Sequence, residues 1–190
     1  MAEMNRISRF FVNRFNARRN ARIFGWMQVN VSLPSGAACL EIGCGNGDLA
    51  SRVVDGLRPA RYVATDLDSR QLDAARKHLA ERYPSGLPPA LELREADMLH
   101  LPFADGSFDA VLAVVSIHHV SPNHHDPTEV PRALAEIDRV LRPGGALVYE
   151  EILHKDSIRA WLAEHGYVLS GIERGFKRES VVARKSGGAR

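Results

Sequence analysis

The run Cys39-Leu40-Glu41-Ile42-Gly43-Cys44-Gly45-Asn46-Gly47-Asp48 carries the densest chemical signal in this 190-residue chain. A short apolar segment with one acid leads into a loop with glycine at every second position, and a helix can start near Asp48. Glycine tolerates positive φ and has no Cβ, so such a loop turns sharply and lets a bulky ligand touch the main chain. That is the chemistry of a nucleotide-sized pocket. The phosphate-binding dinucleotide pattern is G-x-G-x-x-G, whereas Gly43, Gly45 and Gly47 spell G-x-G-x-G, with Glu41 two residues before the first glycine. A second concentration of chemistry is Ser116-Ile117-His118-His119, followed by His124-His125-Asp126. Imidazole titrates near neutrality and can serve as a general base or a metal ligand. Paired loop histidines point apart more often than they converge, and no outer-shell partner can be read from the spacing, so the sequence assigns no metal here.

Apolar periodicity supplies the elements that must hold these groups. Ile7, Phe10, Phe11, Phe15, Ile23, Phe24, Trp26 and Met27 recur at mostly helical spacing with arginines between them. This predicts one or two amphipathic helices over residues 1–32, lying over the edge of the fold or acting as a lid. Leu33-Pro34-Ser35-Gly36 breaks the pattern and introduces a strand, Ala37 to Ile42. Leu49, Ala50, Val53, Val54 and Leu57 mark a helix closed by Gly56 and Pro59. Tyr62 to Thr65 reads as the next strand and ends in Asp66-Leu67-Asp68, where Asp68 and Gln71 have the form of a capping box.

The second half continues the alternation. Leu91 to Arg94 is a short strand running into Glu95-Ala96-Asp97-Met98. Phe108 to Val115 is an almost unbroken apolar run, as expected for a strand buried on both faces of a parallel sheet. A helix through Val130, Leu134, Ile137 and Leu141 finishes at Arg142-Pro143-Gly144-Gly145, and Ala146 to Tyr149 is the fifth strand, followed by Glu150 and Glu151. Those two acids either line a pocket for a cationic amine or are solvated. Asp156 is placed as the cap of a helix ending at Gly166, and two strands follow, Tyr167 to Glu173 and Arg178 to Ala183. Five strand–helix alternations predict an α/β, doubly wound, mainly parallel sheet with helices on both faces. Only Arg174 to Lys177 joins the final two strands, too little for a parallel crossover, so the last strand is antiparallel. The expected organisation is a helical segment over 1–32, one domain over 33–184 and a tail over 185–190.

Composition narrows the classes. A net charge of +2, from 25 basic and 23 acidic side chains, gives no global push towards nucleic acid or membrane. Residues 1–22 are different, with six arginines against the single acid Glu3. Such a charge run is either a solvated helix face or an arm for an anionic substrate. Cys39 and Cys44 are too few for a disulfide framework, and no run of 18 apolar residues occurs, so a reducing cytoplasm is the expected setting.

In this order the motifs resemble the class I S-adenosylmethionine-dependent methyltransferases, the seven-stranded Rossmann-like family. The resemblance covers about Leu33 to Ala183. It rests on Leu40 to Gly47, Ala64 to Asp68, Glu95 to Met98, Pro102 to Asp109 and Leu141 to Gly145, five motifs in register. It implies that S-adenosyl-L-methionine lies beyond the carboxyl ends of the strands. Gly43, Cys44 and Gly45 would meet the methionine moiety, with Glu41 beneath it. Asp66 would accept both ribose hydroxyls, which a carboxylate suits. Asp97 would accept the adenine amino group, with Leu67 and Met98 sandwiching the ring and Val115 closing the pocket. His118 and His119 would face the acceptor, as a base or as buttresses of the cofactor pocket.

The acceptor is less constrained. No Asn/Asp-Pro-Pro-aromatic motif and no Pro-Cys follows the fourth strand, which argues against base-amino and cytosine C5 methylation. The favoured reading is transfer of the sulfonium methyl to an oxygen, nitrogen or sulfur of a small molecule, with no membrane partner and with a dimer possible. Two alternatives remain open within the family, an RNA or a protein acceptor engaging the arginine arm. Two lie outside it, an NAD-dependent oxidoreductase and an inactive cofactor-binding protein.

Overall fold

The computed structural model describes residues 6–187, with side chains from residue 16 onward. Helix α1 is one continuous helix, Arg6–Asn30. Ile7, Phe10, Phe11 and Phe15 of the predicted apolar stripe lie outside the described side chains. Then follow β1 (Ala38–Ile42), α2 (Asp48–Leu57), β2 (Arg61–Asp66), α3 (Ser69–Arg82), β3 (Leu91–Glu95) and β4 (Phe108–Val114). After a 3-10 turn, Ile117–Val120, come α4 (Val130–Val140), β5 (Leu141–Glu151), α5 (Lys155–Glu164), β6 (Tyr167–Gly175) and β7 (Arg178–Lys185).

The seven strands form one sheet in the order β3-β2-β1-β4-β5-β7-β6. From β3 to β5 all pairings are parallel, while β7 is antiparallel to both β5 and β6. The order reverses between β1 and β4, and ligands of open α/β sheets sit outside the strand ends at such a switch point. The antiparallel last strand follows from the short Arg174 to Lys177 connection. Its insertion between β5 and β6 has no signal in the sequence.

Side chains alternate along β1, so the sheet carries two cores. Cys39 of β1 joins Tyr62, Leu112 and Val148 on the face covered by α1, α2 and α3, whereas Leu40 and Ile42 join Val63, Val111 and Leu147 under α4 and α5. Ile23 and Met27 of α1 are fully buried in the first core. Burying those two side chains contributes about 3–6 kcal/mol, so the second half of α1 is part of the domain's packing. Gly56 does not end α2. It lies inside the helix, where a Cβ would approach the Phe24 ring of α1 to 2.3 Å, and the C-cap is Arg58 at φ 52°.

Three local expectations change. Asp68 caps α3 by accepting from the Arg70 N–H, but its own N–H donates to Asp66 Oδ1, so Gln71 does not close a capping box. Asp156 lies inside α5, whose N-cap is His154 at φ 54°. The Arg142 to Gly145 turn belongs to the irregular start of β5, where the register with β4 shifts between Phe108 and Ala110. The long connection before β4 is held by Arg139 of α4, which donates to the carbonyls of Leu101 and Phe103 and to Asp105 and Glu136.

The packing of α1 gives a direct contrast. Met27→Ala should lower stability by about 2–5 kcal/mol, because it empties a closed core site. Val29→Ala, at a position 84% exposed, should stay within about 0.5 kcal/mol of wild type. Urea midpoints for the two variants check this, and equal midpoints would mean α1 does not pack as described.

Candidate active site at the sheet switch point

The glycine loop leaves β1 at Gly43 (φ 71°) and passes Gly45 (φ 55°), both left-handed. A Cβ on Gly43 would come within 2.7 Å of the Ser116 Cβ, so this glycine lets the loops after β1 and β4 touch. A Cβ on Gly45 would meet nothing within 4 Å, which leaves its backbone open to a ligand. Cys44 contributes through its main chain, its N–H donating to the Thr65 carbonyl at 2.8 Å while its side chain packs in the core. Burial pushes its thiol well above the ordinary range, so it is inert.

Asp66, at the end of β2, ties the floor together. Its Oδ2 accepts from the Gly45 N–H at 2.9 Å and its Oδ1 from the Asp68 N–H at 3.0 Å. A carboxylate has about four lone-pair sites, so each oxygen keeps one for a ligand hydroxyl. Beside it Leu67 is 63% exposed, an apolar side chain with its face uncovered. Asp97 shapes the turn after β3, accepting from the Leu99 N–H at 2.9 Å, and the half-buried Met98 packs against the second core below.

Glu41 lies under the glycine loop, almost fully buried, and accepts from the Tyr62 hydroxyl at 2.9 Å. Burial pushes its carboxyl up to about 7; Tyr62 pulls the other way, and Asp66 adds to the rise. The charge of Arg19 of α1 also favours the ionised Glu41, and Arg19 is itself lowered by burial against the opposing pull of Glu150, Glu41 and Glu151. Arg22 reaches Glu173 at 3.1 Å and also meets Glu150. Of the three N-terminal arginines with described side chains, Arg19 and Arg22 face the acids at the end of the sheet and Arg18 is exposed, while Arg6, Arg9 and Arg14 lie outside the described side chains.

The other wall is the turn after β4. Val115 sits at φ 55°, an outlier for a β-branched residue that costs about 1–3 kcal/mol and must be imposed by its surroundings. The end of β5 imposes it. The Val115 N–H donates to the Glu150 carbonyl at 2.7 Å, and the Ser116 and Ile117 N–H groups donate to Glu151 Oε1 at 2.9 and 2.7 Å. The second Glu151 oxygen takes His118 Nδ1 at 2.7 Å. Glu151 is fully buried, so neither sequence reading of these acids holds: Glu150 and Glu151 are structural groups, not solvated and not an open cation pocket.

His118 and His119 both belong to this turn, with ring centroids 4.1 Å apart. His119 Nδ1 lies 3.1 Å from His124 Nε2, and His119, though its surface is exposed, is pushed down to about 4 by partial desolvation against its neighbours and by His118 and His124. It is therefore neutral at physiological pH and a weak proton acceptor. His124 joins the cluster, whereas Asp126 closes its own turn by accepting from the Thr128 N–H at 3.0 Å.

The residues present fit a nucleoside-sized ligand. The open Gly45 backbone, the spare lone pairs of Asp66 and the uncovered Leu67 share one end of the sheet with Ser116, whose buried Oγ has no hydrogen-bond partner among the described residues. A cavity of about 710 Å³ under Asp138, His165 and Lys185 lies at the opposite end, away from these groups. The sequence missed Glu151 as the partner of His118. The available signal was an acid closing an apolar strand at the same sheet end as the histidines.

Replacing Glu151 by Gln keeps an oxygen for the Ser116 and Ile117 N–H groups but presents an amide to His118. A carboxylate oxygen accepts, so the contact calls for a proton on His118 Nδ1 in wild type. Glu151→Gln should move it to Nε2, read as an exchange of the two ring nitrogen shifts in ¹⁵N-correlated NMR, with the fold retained. Unchanged shifts would place the proton elsewhere.

Comparison with known proteins agrees with this geometry. The methyltransferase domain family matches residues 40–149, from within β1 to Tyr149 in β5. The chain is 36% identical over 134 residues to the phthiotriol/phenolphthiotriol dimycocerosates methyltransferase of Mycobacterium leprae, covering 70% of this chain and 43% of that one. It is 36% identical over 111 residues to the 2-phytyl-1,4-naphtoquinone methyltransferase of Nostoc punctiforme, covering 58% and 44%. The chain thus spans less than half the length of these curated relatives. Among solved structures, the [4+2]-cyclase SpnF superposes with a TM-score of 0.72 at 21% identity, covering 88% of this chain and 81% of that one. A SAM-dependent methyltransferase of Aquifex aeolicus superposes with 0.63 at 15% identity, covering 88% and 97%. With the family match running through the glycine loop, Asp66, Asp97 and the histidine turn, the chain belongs to the class I S-adenosylmethionine-dependent methyltransferases, a family whose cofactor is S-adenosylmethionine.

Proposed function

We propose that this chain transfers the methyl group of S-adenosylmethionine to a nucleophilic atom, most simply an oxygen, of a small apolar acceptor. The observation that carries the reading is the meeting of the glycine loop and the histidine turn at Gly43 and Ser116, at the point where the strand order reverses. Asp66 would hold the ribose, Asp97 the adenine amino group, and Leu67, Met98 and Val115 the ring faces, while the backbones of Gly43, Cys44 and Gly45 line the methionine end. The bound cofactor supplies an electrophilic methyl on a sulfonium. Positioning and exclusion of water supply much of the rate of such a displacement, so a dedicated base is not obligatory. His118 and His119 would stand on the acceptor side, His118 to orient or deprotonate a hydroxyl and His119, a weak base here, to orient it.

The apolar acceptor is supported by relatives whose names specify a dimycocerosate lipid and a phytyl naphthoquinone. An RNA acceptor is less favoured, because Arg22 is paired with internal acids and Arg19 lies among them. A cyclase among the structural neighbours shows that this fold also serves other chemistry, so turnover is the decisive observation.

Asp66→Ala should weaken S-adenosylhomocysteine binding at least about 100-fold, since two charge-assisted hydrogen bonds are lost. His119→Ala should leave that binding unchanged and lower turnover. Calorimetry with a methylation assay separates the two, and normal binding by Asp66→Ala would refute the placement of the ribose. The pH dependence has a definite sign. The Glu41 carboxyl is raised to about 7 without ligand, and a sulfonium nearby favours its ionised form, so binding of S-adenosylmethionine releases a proton. Its affinity should rise as pH increases through about 7 and level off above. S-adenosylhomocysteine, which lacks the sulfonium charge, should show a smaller rise.

A further inference from the structure

We propose that His118, His119 and His124 form a binding site for one divalent transition-metal ion of the zinc class, with Glu151 as the carboxylate that orients His118. One ring nitrogen of each histidine lies within 4.8 Å of those of the other two. The ion site rests on the histidine geometry alone, and its role towards an acceptor oxygen rests on the methyl-transfer reading.

The ligand atoms follow from the hydrogen bonds. His118 commits Nδ1 to Glu151 Oε2 at 2.7 Å, which leaves the Nε2 lone pair as its donor. Histidine ligands of metals regularly give their other ring N–H to a carboxylate, which fixes tautomer and ring orientation and raises ligand basicity. Glu151 is itself fixed, accepting from the Ser116 and Ile117 N–H groups at 2.9 and 2.7 Å. His119 Nδ1 and His124 Nε2 are 3.1 Å apart. Two nitrogens bound to one tetrahedral zinc at about 2.0–2.1 Å lie about 3.3–3.4 Å apart, so a small rotation of the exposed rings admits an ion between them. The loop that brings His124 to the site is tied down, because His154 Nε2 donates to the His124 carbonyl at 2.8 Å. Sequence spacing conceals this arrangement: His125 and Asp126 are adjacent to the cluster in sequence yet do not enter it.

Three nitrogen ligands leave a fourth position open. His118 is buried and belongs to the turn that abuts the glycine loop, whereas His119 and His124 are exposed, so the ion would sit at the solvent edge of that turn with its fourth position accessible to an incoming oxygen. An ion there would bind an acceptor oxygen directly and lower its pKa, with the hydroxyl proton passing to water. Imidazole donors suit zinc, copper, iron and nickel, and disfavour magnesium and calcium.

The test uses the full chain without an affinity tag, stripped with a chelator and then titrated with Zn²⁺ by calorimetry and with Co²⁺ by visible absorption. Wild type should take up one ion per chain and show the intense visible bands of tetrahedral Co²⁺. His124→Ala, in an exposed loop, should abolish those bands and the stoichiometric uptake. Glu151→Gln should weaken affinity about 10–100-fold, as loss of an outer-shell carboxylate does. His125→Ala should match wild type. Uptake that survives in His124→Ala, or the absence of stoichiometric uptake by folded wild type at micromolar zinc, would overturn the site. S-adenosylhomocysteine binding by the same stripped protein is measured separately, so a failed metal site and a failed cofactor assignment give different results.

Discussion

A single buried carboxylate organises the working end of this protein. Glu151 is fully excluded from water, and a charge in that position is tolerated only when hydrogen bonds replace its hydration. It has them: two main-chain N–H groups on one oxygen and the His118 ring on the other. Those bonds hold the turn after β4 in a conformation that Val115, at φ 55°, would not adopt alone. The turn in turn sets how close Ser116 comes to Gly43 and where the histidines stand. Next to it Glu150 binds Ser180 and meets Arg22, so the same strand end also fastens α1 over the sheet. The contact with the glycine loop, the histidine turn and the N-terminal helix are thus referenced to two consecutive residues of β5.

Much of this was legible in the sequence, for physical reasons. Parallel strands buried on both faces announce themselves as continuous apolar runs, and glycines at positive φ leave a pattern no other residue can substitute, so the sheet, the loop and its acids could be placed. What stayed hidden depends on distance in sequence. Glu151 and His118 are 33 residues apart, and nothing local in Glu150-Glu151 distinguishes a buried anchor from a solvated pair. The insertion of β7 beside β5 is a choice between two edges that periodicity does not encode. Inward arginines such as Arg22 read as a wet helix face because their partners, Glu150 and Glu173, lie more than a hundred residues away. The Gly56 and Asp156 assignments failed differently: both residues favour helix ends, but close packing against Phe24 and the left-handed His154 decide those positions.

Fold and chemistry carry separate weight here. Solved neighbours at 15–21% identity establish only the architecture, and one of them is a cyclase. The case for methyl transfer rests instead on the family match across residues 40–149 and on side chains that meet at one point of the sheet. Asp66 is the clearest instance. It organises the floor through two backbone N–H groups while keeping acceptor capacity facing outward, which suits it to a diol.

The most direct test is a crystal structure with S-adenosylhomocysteine. The ligand should lie across the ends of β1 and β4, with its ribose hydroxyls on Asp66, its adenine between Leu67 and Met98, and its sulfur directed towards the His118 turn. A ligand found elsewhere, for instance in the cavity under Asp138 and Lys185, or a ribose that leaves Asp66 uncontacted, would contradict the assignment of the site.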